Sequence, residues 1–201
     1  MKQRTNYGNW VPATILRISY GCAVAFLLLF FFSAFCWHNS WTAVIAGLLA
    51  LAAVVIAVFM QVCHHAFSFN GGGLMGEIHQ FLIDHLDWDG HGTLLDIGCG
   101  AGALTNRCAK QFPEATLQGM DYWGMGWDYA KEQCERNAEI EGVADRVTFS
   151  KGDASKLDFA DESFDAAVSN FVFHEVKTQP DKREVVREAL RVVKKGGAFA
   201  F

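Results

Sequence analysis

Two uncharged apolar stretches near the amino terminus constrain the fold of this chain more than any other feature. Residues 18–37 carry no formal charge, and residues 41–62 form a second such run that is rich in Ala, Val, Leu and Ile. Each run is long enough to cross a hydrocarbon core of roughly 30 Å as an α-helix. Because only three residues separate the runs, we expect an antiparallel transmembrane hairpin over residues 18–62.

The charges that flank this hairpin predict its orientation. Lys2, Arg4 and Arg17 are the only charged residues before Glu77, so residues 1–17 form a basic amino-terminal arm. Basic residues next to a span favour the cytoplasmic side of the membrane. We therefore expect an integral membrane protein with two spans, whose amino terminus and carboxyl-terminal domain both lie in the cytoplasm.

The apolar runs have three other interpretations. A cleaved signal peptide has a shorter apolar core and is not followed at once by a second span. A lipoprotein signal requires a small residue before the cysteine, but Phe35 precedes Cys36. A hairpin buried in the core of a soluble domain stays open as an alternative.

The cysteine pattern predicts neither a disulfide framework nor a metal site. The six cysteines form no C-x-x-C pair, and several lie in apolar segments, which is typical of reduced thiols in a cytosolic protein. The sequence Cys63-His64-His65 could bind a metal, but adjacent histidines beside a span are more often interfacial. We therefore predict no metal.

The composition changes at Glu77. All 22 acidic residues and 14 of the 17 basic residues lie from this position onward, so that part carries a net charge of 14 − 22 = −8. An acidic surface makes nucleic acid an unlikely partner. Residues 63–76, which include Gly71, Gly72 and Gly73, are predicted to be a glycine-rich linker that acts as a hinge or folds over a ligand.

Residues 77–201 alternate between strand and helix patterns. This alternation predicts an α/β fold with a doubly wound, mostly parallel, Rossmann-like sheet. A helix is expected over Glu77–Trp88, with Ile78, Phe81, Leu82 and His85 on one face. The predicted strands are residues 93–97, 115–121, 146–153, 164–170 and 198–201. The other predicted helices are residues 104–112, 128–142 and 181–197.

A glycine-rich turn follows the first predicted strand. Gly98, Gly100 and Gly102 in "DIGCGAG" have the spacing of a turn that holds a nucleotide cofactor. Asp121 ends the second strand, where a carboxylate can bind ribose hydroxyls of either NAD or S-adenosylmethionine. Asp96 precedes the turn and Asp153 follows the third strand, so the expected rim is acidic. Such a rim favours a cationic ligand without phosphates, which is S-adenosylmethionine.

Four segments carry a family resemblance: "LLDIGCGAGALT", "GMDYW", "GDASKLDFADESFDAAVSN" and "ALRVVKKGGAFAF". In this order they resemble the motifs of class I S-adenosylmethionine-dependent methyltransferases, over about residues 74–201. The resemblance implies a cofactor site in which the Gly98–Gly102 turn, with Cys99 and Gly100, packs against the methionine part and Asp121 binds the ribose hydroxyls. It further implies that Asp153 and Ala154 lie at the adenine and that Asn170 and Phe171 lie beside the reacting methyl group. Asp96 and Tyr122 are also expected to contact the cofactor.

Other features depart from the family pattern or extend it. The segment after Asp121 is long and aromatic, so Tyr122, Trp123 or Trp127 is expected to cover the adenine or shape the acceptor pocket, with ordinary packing of the next helix as the alternative. The family sheet has seven strands, whereas five are predicted here, so a carboxyl-terminally incomplete domain is expected. His174 is the candidate general base, with a role in shaping the pocket as the alternative.

These observations predict a membrane-anchored methyltransferase with a small-molecule acceptor. The Asn-Pro-Pro-aromatic motif for amino groups of bases or glutamine is absent, because Ser169-Asn170-Phe171-Val172 stands in its place. The hairpin favours a lipid-like or quinone-like acceptor presented at the bilayer. The alternatives are a non-catalytic S-adenosylmethionine sensor and, less favoured, an NAD-dependent oxidoreductase. The sequence leaves the oligomeric state open.

Overall fold

The computed structural model describes residues 4–69, 73–124 and 131–201. The chain divides into two compact units, one comprising Asn9–Met75 and the other comprising the residues before Asn9 together with Gly76–Phe201. The elements are, in chain order, α1 Ala13–Phe35, α2 Ser40–Ala66, α3 Leu74–Asp84, β1 Gly92–Ile97, α4 Ala103–Gln111, β2 Ala115–Asp121, α5 Lys131–Glu141, β3 Val147–Lys151, β4 Phe164–Val168, a 3₁₀ helix Phe173–Glu175, α6 Lys182–Val192 and β5 Val193–Ala200.

Helices α1 and α2 form a helical hairpin within the first unit. The side chain of Asn39 caps α2 by accepting hydrogen bonds from the backbone N–H groups of Trp41 and Thr42, both at 3.1 Å. The buried residues of α2 are all alanines at helical spacing, and small side chains allow two helices to approach closely. They are Ala46, Ala50, Ala53 and Ala57.

Most large apolar side chains of this hairpin are exposed. Exposed fractions include 65% for Leu28, 69% for Phe35 and 62% for Phe59. Both helices are long and apolar enough to cross a membrane, which is weak support for membrane association because it rests on length and composition. An exposed apolar surface of this extent argues against the alternative of a hairpin buried in a soluble core.

The end of α2 is packed against the residues that precede α1. Asn9 pairs with Ser68 in an antiparallel bridge, and its amide donates to the carbonyl of His64 at 2.7 Å. The ring of Trp10 stacks on Phe67. Helix α2 extends to Ala66, so residues 63–66 of the predicted linker are helical; of its glycines, Gly71 and Gly72 lie outside the described residues.

Within the described part of the second unit, five parallel strands form one sheet in the order β3-β2-β1-β4-β5. The chain starts in the middle at β1, proceeds outward to β3, and then returns to add β4 and β5 on the other side. This order confirms the predicted doubly wound, Rossmann-like α/β fold. The inner strands β1 and β4 are mostly buried because helices cover the faces of the sheet, and Leu94, Leu95 and Ile97 of β1 are fully buried.

The structure also corrects several predicted elements. Phe81 and His85, expected on the buried face of α3, are exposed and stack on each other, whereas His79, Leu82, Ile83 and Leu86 are buried. Helix α6 ends at Val192 rather than at residue 197. The next residues enter β5, because Val193 pairs with Phe164 and Ala198 pairs with Ala166, with an irregularity between the two pairs.

The segment before Asn9 is part of the sheet-containing unit. Tyr7 is 7% exposed, and its hydroxyl donates to the carboxylate of Glu141 on α5 at 3.0 Å. The amide of Asn106 on α4 donates to the same hydroxyl at 3.1 Å. No pattern in the sequence indicated that the basic arm contributes to this domain.

Candidate cofactor and active site

The sheet brings the predicted site residues together at one edge. Strands β1, β2, β3 and β4 are parallel neighbours, so the residues that follow their carboxyl ends lie at the same edge. In open α/β sheets this edge is where ligands bind. The glycine turn, which we define as residues 98–102, follows β1; Tyr122 follows β2, Gly152 follows β3 and Ser169 follows β4.

The glycine turn is tied to the end of β2. The backbone N–H groups of Gly98 and Cys99 donate to the carbonyl of Met120 at 2.7 and 3.0 Å. Gly98 has φ +77°, and a Cβ at this position would lie 2.2 Å from a methyl group of Val172. Glycine is therefore required here both by the backbone conformation and by the contact. Gly102 has φ +82° and precedes the first residue of α4.

Asp96 is a carboxyl buried directly before the turn. It is 1% exposed, and the hydroxyl of Thr105 donates to its Oδ2 at 2.6 Å. Burial raises the pKa of Asp96 to about 7, the hydrogen bond from Thr105 opposes this, and the nearby carboxylate of Asp121 adds to the rise. A cationic group placed beside Asp96 would favour its charged form.

Asp121 lies at the end of β2 and faces the turn. Its Oδ2 accepts a hydrogen bond from the backbone N–H of Gly100 at 2.8 Å, and its Oδ1 accepts one from the N–H of Trp123 at 2.9 Å. Each carboxylate oxygen can accept a further hydrogen bond. The geometry therefore leaves acceptor capacity at Asp121 for the hydroxyls of a ribose.

The loop after β3 is held close to Asp121. The N–H of Gly152 donates to the carbonyl of Asp121 at 2.9 Å. Asp153 accepts hydrogen bonds from the N–H of Ser155 and the hydroxyl of Thr178 at 2.8 and 2.9 Å. Burial alone would raise the pKa of Asp153, but these hydrogen bonds outweigh it and hold the pKa below its usual value. The neighbouring Ala154 is buried.

The aromatic residues after Asp121 differ in their environment. The indole N–H of Trp123 donates to the carbonyl of Gly100 at 2.9 Å, and its ring packs against the hydrophobic core. For Trp123, this favours packing over the alternative of covering an adenine. Tyr122 is 57% exposed, with the ammonium of Lys151 5.7 Å from its ring centre. Trp127 and Asp128, the first residue of the helix predicted over residues 128–142, lie outside the described residues.

His79, which no sequence pattern indicated, lies beside the predicted site residue Asn170. It lies on α3, is 3% exposed, and its Nε2 is 3.1 Å from the amide nitrogen of Asn170. Burial lowers the pKa of His79 to about 4, and the charge of Arg107 adds to this effect, so the ring is neutral near pH 7. An unprotonated Nε2 can then accept the hydrogen bond from Asn170.

The residues around Asn170 complete this part of the edge. The hydroxyl of Ser169 donates to the carbonyl of Ile97 at 2.9 Å, which joins the ends of β4 and β1. Phe171 has φ +56° and is 47% exposed. A positive φ at an aromatic residue costs energy and is often found at functional sites.

His174 lies in the 3₁₀ helix that follows Phe171. Its side chain is 62% exposed, and its Nε2 is 3.4 Å from a carboxylate oxygen of Glu175. In the described residues, no group of three or more His, Cys, Asp or Glu side chains has the arrangement of a metal site. His64, which was part of the alternative metal site, is hydrogen-bonded through its Nδ1 to the carbonyl of Val11 at 2.7 Å.

Comparisons with known proteins identify the family of this chain. A family model described as "Methyltransferase domain" matches residues 95–201. The sterol 24-C-methyltransferase of Aspergillus fumigatus is 36% identical over 106 residues, which are 53% of this chain and 26% of that protein. The chain therefore spans about a quarter of the length of this curated relative.

Solved structures share the fold. A putative S-adenosyl-L-methionine-dependent methyltransferase from Methanococcus maripaludis is 25% identical, with a TM-score of 0.50 over 61% of this chain and 52% of that one. The cyclase SpnF is 28% identical, with a TM-score of 0.53 over 61% of this chain and 42% of that one. Similar folds thus occur in proteins described by different activities.

Proposed function

Because the chain belongs to the methyltransferase domain family, whose model matches more than half of its length, we propose that it transfers a methyl group from S-adenosylmethionine to a small lipid-like or quinone-like acceptor. We further propose that residues 18–62 anchor it in a membrane. One observation carries the catalytic part of the proposal: the buried carboxyl of Asp96 lies directly before the glycine turn, next to Asp121.

The residues at the sheet edge fit this cofactor. Burial disfavours ionisation of the Asp96 carboxyl. A ligand that carries an ammonium and a sulfonium would stabilise the ionised form. A pyrophosphate at the same place would be repelled. In this proposal Gly98, Cys99, Gly100 and Gly102 hold the methionine part, and Asp121 binds the ribose hydroxyls. Asp153 with Ala154 contacts the adenine, Asn170 with Phe171 lies beside the methyl group, and Tyr122 is a further contact of the cofactor.

The chain contributes alignment more than chemistry. When bound, S-adenosylmethionine supplies an electrophilic methyl group, and displacement requires an acceptor atom in line with the breaking bond. Asn170, held by His79, and Phe171, held in a positive-φ conformation, are proposed to shape the acceptor pocket. Where the acceptor must lose a proton, His174 remains the proposed base.

The acceptor class is proposed from two observations. The apolar surface of the hairpin favours a bilayer location, where a lipid-like or quinone-like substrate is concentrated. In addition, one relative is named for methylation of a sterol. The two observations are independent, and they favour the same apolar class of acceptor.

The predicted topology has support from the arm. Residues 4–8 and 76–201 belong to one compact unit, which supports a topology in which the chain on either side of the hairpin lies on the same side of a membrane. This requires an even number of crossings, as a two-helix hairpin has. With the basic residues as the orienting signal, we propose a cytoplasmic arm (residues 1–17), a hairpin (18–62), a linker (63–76) and a cytoplasmic methyltransferase domain (77–201).

The topology can be tested at Cys36, an exposed residue at the end of α1. A membrane-impermeant thiol reagent added to intact cells should label Cys36, and the Cys36→Ser variant should lose that label. Labelling of Cys36 only after the cells are opened would contradict the proposed orientation.

The activity is tested by transfer of labelled methyl groups. The detergent-purified chain would be incubated with methyl-labelled S-adenosylmethionine and either a membrane lipid extract or an aqueous metabolite extract, with Asp121→Ala as the control. Label that appears in the lipid fraction, and is lost in the variant, supports the proposal. Binding without transfer to either extract would favour the alternative of a non-catalytic sensor, and label in the aqueous fraction alone would exclude the lipid-like acceptor.

A further inference from the structure

Residues 4–8 of the amino-terminal arm are bound by two side-chain amides of α5. The carbonyl of Asn6 accepts hydrogen bonds from the amides of Gln133 and Asn137 at 2.6 and 2.8 Å. The N–H of Asn6 donates to the amide oxygen of Asn137 at 2.9 Å. Asn137 therefore pairs with both backbone groups of one arm residue.

A third residue of α5 extends this contact. Glu141 accepts a hydrogen bond from the hydroxyl of Tyr7 and is paired with the ammonium of Lys110. Gln133, Asn137 and Glu141 are spaced four residues apart, so they form one stripe along the helix. Burial raises the pKa of Tyr7, and hence its hydroxyl stays protonated and continues to donate.

Asn137 also contacts the glycine turn. Its amide donates to the carbonyl of Ala101 at 3.0 Å, in addition to the carbonyl of Asn6. Asn137 is 1% exposed, and its two donors and its acceptor are all engaged. If the arm undocks, the Asn137 side chain loses the N–H donor to its amide oxygen and one of the two carbonyl acceptors of its amide nitrogen. Leaving these buried polar groups unpaired costs free energy, and the side chain is then no longer held in the orientation that donates to Ala101.

The conformation of the turn depends on such external hydrogen bonds. Gly100 and Gly102, on either side of Ala101, both have positive φ. The carbonyl of Gly100 accepts from the indole of Trp123 and the thiol of Cys134, and the carbonyl of Ala101 accepts from Asn137. Asn137 thus links the arm to the segment proposed to hold the cofactor.

We propose that the arm is a latch for the cofactor site: docking of Asn6 on Asn137 positions the glycine turn and thereby raises the affinity for S-adenosylmethionine. The inference rests on the proposed function, because it concerns the cofactor assigned there. Asn137 is a positioning residue in this account, since it acts on the ligand through the turn. By linkage, a bound cofactor must also tighten the docking of the arm.

The first test changes the arm without touching α5 or the turn. Asn6→Pro removes the N–H that donates to Asn137, whereas Asn6→Ala retains it. In the full chain in detergent, Asn6→Pro should weaken S-adenosylmethionine binding about fivefold or more, which is the lower end of coupling between sites. Asn6→Ala should change the dissociation constant by less than about twofold. Arg136→Gln, at an exposed position of the same helix, should leave it unchanged.

A second variant and a second measurement keep the result unambiguous. The double variant Tyr7→Phe, Gln133→Ala loosens the arm through side chains alone and should also weaken binding. In the unmutated chain, saturating S-adenosylmethionine should slow hydrogen exchange of the Asn6 amide, a change that a purely structural role of the arm would not produce.

The possible failures are distinguishable. If the unmutated chain binds S-adenosylmethionine and both arm variants bind it equally well, the latch is overturned and the proposed function stands. Exchange at Asn6 that is insensitive to the cofactor would overturn the latch in the same way. If the unmutated chain does not bind the cofactor, both the proposed function and the latch are overturned.

Discussion

Replacement of Asp96 by asparagine should stabilise the ligand-free protein at neutral pH and abolish cofactor binding. The carboxyl is 1% exposed, and burial raises its pKa from 3.8 to about 7. A difference of this size corresponds to roughly 4 kcal/mol of destabilisation when the group is fully charged. The residue would thus weaken the fold in the absence of ligand and strengthen it when a cation is bound.

The pH dependence gives this prediction its sign. The folded chain binds the Asp96 proton more tightly than the unfolded chain, so below about pH 4 both states are protonated and the group costs nothing. As the pH rises toward about 7 the unfolded state ionises first, and stability is lost. Above about pH 7 the full cost is present.

The expected size of the effect follows from these values. In the Asp96→Asn variant the amide oxygen can still accept the hydrogen bond from Thr105. The introduced N–H groups are buried at a site that held only an acceptor, and burying them without a partner costs about 1–3 kcal/mol at any pH. The free energy of unfolding of the variant relative to the parent should therefore shift in favour of the variant by roughly 4 kcal/mol between about pH 4 and pH 8. Other titrating groups cancel in this difference.

The assay is denaturant unfolding of the detergent-purified chain, followed by tryptophan fluorescence at a series of pH values. Asp165→Asn is the control of opposite sign. Hydrogen bonds from the ammonium of Lys194 and the N–H of Thr93 lower the pKa of Asp165, so this variant should lose stability relative to the parent as the pH rises through the acid range. A difference for Asp96→Asn that does not change with pH would refute the reasoning.

Three further predictions concern single positions. Gly98→Ala should destabilise the protein by about 3 kcal/mol or more because the new Cβ would lie 2.2 Å from a methyl group of Val172. Gly142 also has a positive φ, +73°, but a Cβ there meets open space, so Gly142→Ala should cost only about 1 kcal/mol in the same unfolding assay. Equal costs for the two variants would contradict the packing argument. His79 should show no ring titration between about pH 5.5 and 8 by nuclear magnetic resonance, with Nε2 unprotonated, and a transition in that range would contradict the assigned hydrogen bond to Asn170. Arg191→Ala should lower stability by about 2–4 kcal/mol because its guanidinium binds the carbonyls of Leu157 and Phe159 together with Glu188 and Asp161. Arg183→Ala removes an ion pair of a side chain that is 84% exposed and should have a much smaller effect, and equal losses for the two variants would be evidence against the anchoring role of Arg191.

The sequence predicted the sheet well because local signals marked its strands. Strand β2 begins at Ala115 and ends at Asp121 as predicted, since Pro113 ends the preceding helix and an aspartate follows the apolar run. The glycine turn after β1 was equally visible. The cofactor follows from the family that these motifs identify.

Features that depend on distant contacts were not predictable from local patterns. Helix periodicity placed Phe81 and His85 on the buried face of the helix, but both are exposed and His79 is buried instead. The partner of His79 is Asn170, which is 91 residues away in sequence. The end of α6 was placed too late because Lys194 and Lys195 suit a helix terminus, but pairing of Val193 with Phe164 starts β5 instead.

The contribution of the arm had even less sequence signal. Asn6 contacts α5 through its backbone N–H and carbonyl. Every residue has the carbonyl and every residue except proline has the N–H, so these contacts leave no mark on the sequence. The polar residues at positions 133, 137 and 141 are evenly spaced, but such spacing is also typical of a solvated helix face. Only the folded chain brings these groups to one another.

The central claim is that the sheet edge binds S-adenosylmethionine, and equilibrium binding of the labelled cofactor to the full chain in detergent tests it most directly. We expect saturable binding that excess NAD does not displace and that Asp121→Ala weakens, because Asp121 is the proposed partner of the ribose hydroxyls. Absence of saturable binding, or displacement by NAD, would contradict the account.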